Sequence, residues 1–544
     1  MKNIKMFCVG VVFLIVGNNA LFALEGKAFK TKPNIILFIV DDMGWQDTSV
    51  PMQKKRTVWN DLYFTPNMEL LAKKGMRFSQ AYASHPVCSP TRVSLMTGKN
   101  PARSRVDDWV GHGDAVNQYL SSGNWAKEGL QPGDGNLTLP TILRRAGYRT
   151  IHIGKAHFGA KEGGNPCNLG FDINIGGSHG GGPWGGWYSP WLGKFQDMYP
   201  NLEKHPKGEY LTDAITEEAE RLITQAVKDH VPFFLNMAQY AVHTQIAAAP
   251  EKYLSHYKDG RPKVERDYGS MITAMDASLG RILARLEDPN GDGDTSDSIA
   301  TNTFIYLISD NGGLSNHTRS NAGEVELTDG RKVLFKRDRH NWPARSGKGS
   351  GYEGGIRIPM IVAWAGQKSN QPPINFQIKI VPNSLCEQPV HTDDVFPTIL
   401  ALAGVKNPVD SNLLDGENLL GLFNGKPFKR QKALYWHYPH QWYRDIGVGE
   451  GIEPFSAVRI GEWKLIYFYG DGVNDGVGYD PRTELYNLKD DMSESHNLAT
   501  KYPERARTMR RQLFSWLKKI NAELPIVRAT KKTVDIPTDQ TPFN

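Results

Sequence analysis

Short apolar runs alternate along this chain with segments of helical periodicity. The runs of strand length cover residues 34–40, 233–237, 304–309 and 360–364. Runs this apolar predict strands that are buried on both faces, as in a largely parallel sheet. Amphipathic helical spacing recurs at residues 66–74, 139–146, 213–228, 267–286 and 394–403. The alternation predicts an α/β fold in which helices sandwich a mixed, mostly parallel sheet.

The pattern changes after residue 429. Residues 434–438, 455–460 and 463–468 are aromatic and rich in turns, which predicts short antiparallel strands. Residues 503–520 form a charged amphipathic pattern, and the polar stretch from Thr530 predicts a loose tail. A chain of 544 residues can bury more than one core. We therefore expect a catalytic domain at 24–429, an α+β subdomain at 430–527 and a tail at 528–544.

The first 23 residues have the character of a signal peptide. Lys2 and Lys5 precede an apolar stretch at 6–16, and small residues lead to Ala23. We expect cleavage near Ala23, no membrane span afterwards, and a secreted or periplasmic product. Removal of the two lysines lowers the formal charge from +6 to +4. That small excess is compatible with anionic substrates and predicts no nucleic-acid binding.

Acidic pairs follow two of the predicted strands. Asp41 and Asp42 come after residues 34–40, and Asp310 and Asn311 come after residues 304–309. The carboxyl ends of parallel strands lie at one edge of the sheet, so these side chains are expected to converge. Their oxygen ligands suit Ca²⁺ or Mg²⁺. A single Asp-Asp pair is more typical of a turn, but two such pairs favour a metal site.

A second stretch, residues 288–294, begins like a calcium-binding loop of the EF-hand type. Its twelfth position is Ile299, where a bidentate carboxylate is required. We therefore favour a solvated loop over a second calcium site.

Cys88 lies in the run Cys88-Ser89-Pro90-Thr91-Arg92. The run predicts a helix start, with Pro90 at the first helical position and Ser89 or Cys88 at the cap. Arg92 is four residues beyond Cys88, so its guanidinium is expected to reach position 88. A buried structural thiol is the alternative for an isolated cysteine.

Four further polar residues follow strand-like or glycine-rich stretches. Lys155 and His157 are two residues apart, so an extended backbone places them on one side. His243 follows the strand at 233–237 and has an ordinary pKa suited to proton transfer. Lys348 lies in a glycine-rich loop that lets its ammonium group approach an anion. Taken alone, a histidine such as His157 is more often structural and a lysine such as Lys348 more often solvated.

Together and in this order, the stretches resemble the motifs of the type I, formylglycine-dependent sulfatases of the alkaline phosphatase superfamily. The resemblance spans residues 33–499 and includes Cys-x-Pro-Thr-Arg, Gly-Lys-x-His and the C-terminal segments 484–488 and 496–498. It implies an alkaline-phosphatase-like fold and the oxidation of Cys88 to formylglycine by a maturation enzyme. It also implies one divalent metal ion, calcium or alternatively magnesium. The implied metal ligands are Asp41, Asp42, the modified Cys88, Asp310 and Asn311.

The resemblance further implies roles for the remaining residues. One hydroxyl of the hydrated formylglycine attacks sulfur while Arg92, Lys155 and Lys348 neutralise the sulfate. His243 protonates the leaving alcohol, and His157 orients the second hydroxyl, which expels sulfate. The sequence departs from the family pattern at Ala156, Phe158, Val242 and Gln245. These departures remove no functional group and affect the inference of substrate.

The expected function is a secreted sulfatase acting on a sulfated polysaccharide or its oligosaccharides. One alternative is a phosphoester or phosphonate hydrolase of the same superfamily, in which residues 391–394 imitate part of a two-metal ligand set. These residues also fit the start of a helix. The other alternative is a catalytically silent protein that binds sulfated glycans.

Two features leave alternatives open. The Gly- and Trp-rich insert at residues 178–191 either stacks tryptophans on sugars or packs them within a long loop. Cys167 and Cys386 either pair in an oxidising compartment or stay free.

Overall fold

The computed structural model describes residues 32–111, 120–121, 126, 128–133, 137–191, 196–315, 318–366, 378–440, 442, 450–470, 480–528 and 530–543. The predicted signal peptide of residues 1–23 lies outside these residues. Within the described part of the chain, no helix combines the length and the apolar character needed to cross a membrane.

An eight-stranded sheet forms the centre of the fold. Its strands are β1 (Asn34–Val40), β2 (Met76–Phe78), β3 (Arg149–Gly154), β4 (Ile173–Ile175), β5 (Phe233–Ala238), β6 (Thr303–Ser309), β7 (Met360–Trp364) and β8 (Ser384–Cys386). They lie in the order β8-β2-β7-β6-β1-β5-β3-β4. β1 is entirely buried and pairs in parallel with β5 and β6. The predicted mostly parallel sheet is confirmed.

Strand β7 is the antiparallel member of this sheet. It pairs antiparallel with both β6 and β2, although its five residues are as buried as those of β1. An apolar run reports burial on both faces, whereas the direction of a strand follows from its connections. The sequence pattern therefore predicted the strand without its direction.

Seven helices of seven or more residues are described. They are α1 (Pro66–Lys74), α2 (Cys88–Thr97), α3 (Leu139–Arg145), α4 (Leu211–Lys228), α5 (Lys263–Glu287), α6 (Val395–Leu402) and α7 (Pro503–Lys519). Four shorter helices are Pro101–Ser104, Glu251–Leu254, Glu353–Ile356 and Leu420–Phe423. Every helix predicted from periodicity is present, with ends that shift by a few residues.

The helices form two groups around the sheet. α1, α4 and α5 pack together on the face of β1 that carries Ile36 and Phe38. α2, α3 and α6 pack on one another. Next to α6, the ring of Phe423 contacts Phe304 and Tyr306 of β6, whose side chains alternate away from the first face. Helices therefore cover both faces of the sheet, as predicted.

The C-terminal part of the chain contains a four-stranded antiparallel sheet. Its strands are β9 (Leu434–Tyr438), β10 (Phe455–Ile460), β11 (Trp463–Phe468) and β12 (Arg482–Asn487), in that spatial order. One side packs against α7 through residues such as Leu465 and Leu513. The other side packs against Tyr82 and Val87, directly before α2. The predicted antiparallel strands are confirmed, and this sheet supports the start of α2.

The predicted loose tail is wrong for the part that the structure describes. Strand Lys532–Thr533 pairs with Ile526–Val527, which in turn pairs with Leu120–Ser121. The Arg510 guanidinium donates to the backbone carbonyl of Thr541 at 3.0 Å, and Phe543 packs on the α7 core. Contacts with distant residues order this stretch, and its own sequence carries no periodic signal for them.

Replacement of the central Ile36 tests the packing of the sheet. Ile36 is 0% exposed, so Ile36→Ala is expected to lower the free energy of unfolding by about 2–5 kcal/mol. The matched variant Ile536→Ala, at a residue 47% exposed, should change it by about 0.5 kcal/mol or less. Denaturant unfolding measures both. Equal losses would contradict the placement of β1 at the centre of the core.

Candidate active site

Three buried carboxylates meet at the carboxyl edge of the central sheet. β1 ends at Val40 and β6 ends at Ser309, and these two residues are paired in register. Asp41, Asp42 and Asp310 follow directly, and each offers an oxygen within 4.8 Å of the others. All three are fully buried. The structure thus brings together the acidic residues that the strand pattern indicated.

Backbone and side-chain hydrogen bonds fix this edge. The Asp42 N–H donates to Asp310 Oδ1 at 3.2 Å, and Asp42 adopts a φ of 61°, in the left-handed region. The Met43 N–H donates to Ser309 Oγ at 3.0 Å. Asn311 donates its Nδ2 to Asp42 Oδ1 at 2.9 Å, while its buried Oδ1 has no hydrogen-bond partner. One amide oxygen at the cluster is therefore left for a ligand.

Three cations balance the three carboxylates. Lys155 Nζ lies 2.8 and 2.7 Å from the two Asp41 oxygens. Lys348 Nζ lies 2.6 and 2.9 Å from those of Asp42. Arg92 Nε donates to Asp310 Oδ2 at 2.8 Å. The cluster is a closed network of charge-assisted hydrogen bonds.

The pKa values follow from this balance. Burial alone would raise the pKa of Asp42, but Lys348 and His243 hold it well below its usual range. Burial opposes ionisation of Asp310 as well, and Arg92 and Lys155 keep its pKa lowered. Burial would lower the pKa of Lys348, yet Asp42 raises it above its ordinary value. Asp42, Asp310 and Lys348 are therefore charged at neutral pH. Burial raises the pKa of Asp41 well above its usual range, and Lys155 opposes that shift.

The start of α2 differs from the prediction in one respect. The helix begins at Cys88 with Val87 at the cap, so Pro90 occupies the third helical position and not the first. The first turn needs no backbone donor at any of these positions, so proline fits there too. The Arg92 guanidinium donates Nε to the Asp310 carboxylate and Nη1 to the Lys155 carbonyl, both at 2.8 Å. After burial, which opposes the shift, Asp310, Asp41 and Cys88 raise the pKa of Arg92.

Cys88 contacts His157. The Cys88 Sγ lies 3.2 Å from His157 Nδ1, and His157 Nε2 lies 3.1 Å from the Val110 carbonyl oxygen. A carbonyl only accepts, so Nε2 carries the proton and Nδ1 presents a lone pair to residue 88. Burial, and then Lys155, lower the pKa of His157 well below its usual range, so the ring is neutral. His157 has a φ of 52°, so the segment is not extended as predicted.

His243 lies on the other side of the carboxylate cluster. Its Nε2 is 3.8 Å from Asp42 Oδ2, and its Nδ1 contacts the Thr244 carbonyl. Burial, followed by Lys348 and Lys155, lowers its pKa to about 3. The ring is therefore neutral in the protein without a bound anion.

These groups line a cavity of about 260 Å³. Cys88, His157, His243 and Lys348 form its polar part. Its aromatic walls come from Trp109, Trp184 and Trp442. The sequence reasoning missed Trp109 and Trp442, which lie outside helices and strands and follow no periodicity. The local signal for Trp109 was a further acidic pair, Asp107-Asp108, directly before it.

The tryptophans of the Gly- and Trp-rich insert divide between the cavity and the packing of their own loop. Trp184 is 42% exposed and its ring lies 5.9 Å from that of His243 at the cavity. Trp187 stacks on Tyr210, and Trp191 packs edge-on against Tyr199. One tryptophan therefore faces the cavity, while two hold the loop in place.

Residues 391–394 do not supply metal ligands to the cluster. Asp393 accepts hydrogen bonds from Ser94 and Asn100, and Asp394 pairs with Arg430. They form a short 3₁₀ helix that leads into α6, as the alternative interpretation predicted. The Asp393 carboxylate thus ties α2 to the segment that leads into α6.

The two other cysteines among the described residues, Cys167 and Cys386, are unpaired. Cys167 is exposed and Cys386 is buried, so the disulfide alternative is wrong.

The glycine-rich loop around Lys348 is held by a backbone hydrogen bond. The Lys348 N–H donates to the Gly313 carbonyl at 3.0 Å.

Comparison with known proteins places this site in a family. A family model described as Sulfatase matches residues 33–405, and the model of the N-sulphoglucosamine sulphohydrolase C-terminal region matches residues 347–523. A sulfatase of Formosa agariphila is 28% identical over 96% of this chain and 95% of its own length. The N-acetylgalactosamine-6-sulfatase of Sus scrofa is 30% identical over 75% of this chain and 73% of its own.

A solved structure shares the fold. The crystal structure of Ps i-CgsB in complex with k-i-k-neocarrahexaose has a TM-score of 0.65 and 26% sequence identity. The match covers 90% of this chain and 93% of that one. The Sulfatase match contains β1, α2, β6 and the loop of Lys348, and it spans more than half of the chain. The chain therefore belongs to the sulfatase family and is a sulfuric ester hydrolase with an alkaline-phosphatase-like fold.

Proposed function

We propose that this sulfatase removes sulfate from carbohydrates, with Cys88 acting in its formylglycine form beside one divalent metal ion. The observation that carries the proposal is the buried cluster of three carboxylates and three cations directly next to Cys88. The carbohydrate substrate rests on the relatives, which include an N-acetylgalactosamine-6-sulfatase and a protein crystallised with a neocarrahexaose.

The donor set fits a hard divalent cation. Asp41, Asp42 and Asp310 supply carboxylate oxygens within 4.8 Å of one another, and Asn311 adds a buried amide oxygen without a partner. Such an oxygen-only set suits calcium, with magnesium as the alternative. These four residues would hold the ion, together with modified residue 88.

Charge balance explains why an anion binds here. Arg92, Lys155 and Lys348 already neutralise the three carboxylates. A divalent ion would add positive charge inside a site with little solvent to screen it. Asp41, Asp42 and Asp310 would hold that ion, which would leave Lys155 and Lys348 able to bind a sulfate group.

The environment of Cys88 supports its role as a precursor. Burial raises the pKa of the Cys88 thiol, so the encoded residue is a poor nucleophile. The aldehyde hydrate of residue 88 supplies one hydroxyl to attack sulfur and a second to release sulfate. Cys88 is 3% exposed in the folded chain, so the maturation enzyme must act before α2 packs.

Residues of this chain bind the sulfate, accept a proton and donate a proton. Arg92, Lys155 and Lys348 orient and neutralise the sulfate oxygens. His157 Nδ1 accepts a proton from a hydroxyl at position 88, since its Nε2 proton is held by Val110. His243 donates a proton to the leaving alcohol, because an anion bound between Lys155 and Lys348 offsets the two charges that lower its pKa. The metal ion, when bound, supplies further positive charge to the attacking hydroxyl and the sulfate.

Export completes the proposal. The signal peptide predicted at residues 1–23 would deliver the protein to the periplasm or the medium, where sulfated polysaccharides are found.

Replacement of Cys88 by serine tests the nucleophile. Serine provides one hydroxyl in place of two, so Cys88→Ser should lower kcat for an aryl sulfate by about a thousandfold or more. Cys386→Ser, at another buried cysteine, should keep its turnover. Mass spectrometry of the Cys88 peptide should find the aldehyde in active enzyme. An unmodified thiol in fully active protein would refute the formylglycine mechanism, and inactive native protein with a thiol would favour the silent glycan-binding alternative.

Removal of metal tests the carboxylate cluster. Chelation should abolish aryl sulfate turnover, and added calcium should restore it and raise the Tm, because the ion binds the folded state. Asn311→Ala removes one ligand and should raise the calcium concentration needed by about tenfold or more. Asp292→Asn, in the loop that resembles an EF-hand, should leave the calcium response unchanged. A response lost in Asp292→Asn and kept in Asn311→Ala would place the ion in that loop.

Parallel assays test the ester and the substrate class. We expect sulfate release from aryl sulfate and from at least one of three glycans: N-acetylgalactosamine 6-sulfate and two carrageenan disaccharides. One disaccharide carries a single galactose sulfate, and the other has a second sulfate on the adjoining anhydrogalactose. The kcat/KM for aryl phosphate should be lower by about a hundredfold or more, as the site belongs to a sulfatase. A higher value for the phosphate would favour the phosphoesterase alternative.

A further inference from the structure

A second, larger cavity adjoins the 260 Å³ cavity lined by Cys88, His157, His243 and Lys348, which we call the sulfate cavity. It has a volume of about 510 Å³ and runs along β4 between the segment around Asn165 and the segment at Asp197 and Asn201. His179 lines both cavities. The residue before it, Ser178, accepts a hydrogen bond from the His157 N–H at 3.1 Å. The two cavities are therefore neighbours that share the His179 side chain. The backbone next to His179 is hydrogen-bonded to His157, the proposed base.

The two cavities differ in charge. The sulfate cavity is lined by Lys348 and backed by Arg92 and Lys155. The described residues that line the second cavity include Asp172 and Asp197 but no lysine or arginine. Asp172 Oδ2 accepts hydrogen bonds from the Thr150 N–H and hydroxyl, at 2.9 and 3.0 Å, and its Oδ1 lies 3.9 Å from Arg144 Nη1. Asp197 is exposed, so its carboxylate is the one on which the contrast in charge rests.

This difference in charge determines which substrate groups each cavity can bind. A second sulfate or a uronic acid near Asp197 would meet a like charge, with no lysine or arginine among the described lining residues to offset it. A sugar without charge would offer hydroxyl groups that the Asp197 carboxylate and the Asn165 side chain can bind. Polar, mostly uncharged linings of this kind are typical of small-molecule sites.

We propose that the second cavity binds the unsulfated sugar next to the sulfated one, so that the enzyme prefers an oligosaccharide in which the neighbouring unit carries no charge. The inference rests on the proposed function, since it takes the first cavity to hold the sulfate ester. It assigns His179 and Asp197 to the recognition of the substrate.

Cys167 provides a built-in reporter of occupancy, because it lines this cavity and its thiol is free and exposed. In a Cys88→Ala background, which has no hydroxyl or thiol to attack sulfur and so binds without reaction, the carrageenan disaccharide with one sulfate should slow alkylation of Cys167 by about fivefold or more at saturation. N-acetylgalactosamine 6-sulfate is too short to enter the second cavity and should leave the rate unchanged. Mass spectrometry of the Cys167 peptide gives both rates. Equal rates with the disaccharide and the monosaccharide would overturn the proposal.

Charge reversal gives a second readout. Asp197→Lys should raise the ratio of kcat/KM for the doubly sulfated disaccharide over that for the singly sulfated one by about five- to tenfold, since it replaces a repulsive charge by an attractive one. Asp535→Lys makes the same change of charge in the exposed C-terminal stretch and should keep the ratio of the parent enzyme.

The outcomes distinguish a failure of the second cavity as a sugar site from a failure of the proposed function. An unchanged ratio in Asp197→Lys, with both disaccharides hydrolysed, would overturn the second cavity as a sugar site and leave the sulfatase proposal intact. Turnover of aryl sulfate without turnover of any glycan would overturn the carbohydrate substrate and the inference with it. Loss of aryl sulfate turnover in correctly folded, formylglycine-containing enzyme would overturn the proposed function itself.

Discussion

The burial of three carboxylates side by side is the constraint on which this structure depends. Two like charges about 4 Å apart repel by about 4 kcal/mol at the effective dielectric constant typical of proteins. Asp41, Asp42 and Asp310 lie that close and are fully buried. The fold tolerates them because each carboxylate has its own cation. Loss of one cation would leave a buried charge unpaired, which costs several kcal/mol.

This compensation joins distant parts of the chain. Arg92 comes from α2, Lys155 from the end of β3, and Lys348 from the glycine-rich loop before β7. The C-terminal sheet holds the segment before α2 and contacts Tyr352 beyond that loop. Elements without catalytic side chains are thus needed to keep the cations in place. In the proposed function the same arrangement serves the reaction, because Lys155 and Lys348, which balance carboxylates here, would also bind sulfate.

Local patterns predicted the strands and most helices, because the spacing of apolar residues that become buried can be read directly from the sequence. The acidic residues were predicted to converge for a related reason, since parallel strands end at a common edge. The direction of β7, the start of α2 at Cys88 and the order of the C-terminal tail were not predicted. Each depends on partners more than a hundred residues away, such as β2 for β7 and Leu120–Ser121 for the strands near the C-terminus.

The sequence by itself determined the class of fold, the family and the set of charged residues around Cys88, because these are encoded in short runs with fixed spacing. Only the tertiary structure decided which cation pairs with which carboxylate and which tautomer His157 adopts. It also decided which tryptophans face the cavity and where a second cavity begins. These features depend on distances between segments that are remote in the chain, and hydrogen bonds and buried charges respond to differences of a few tenths of an ångström.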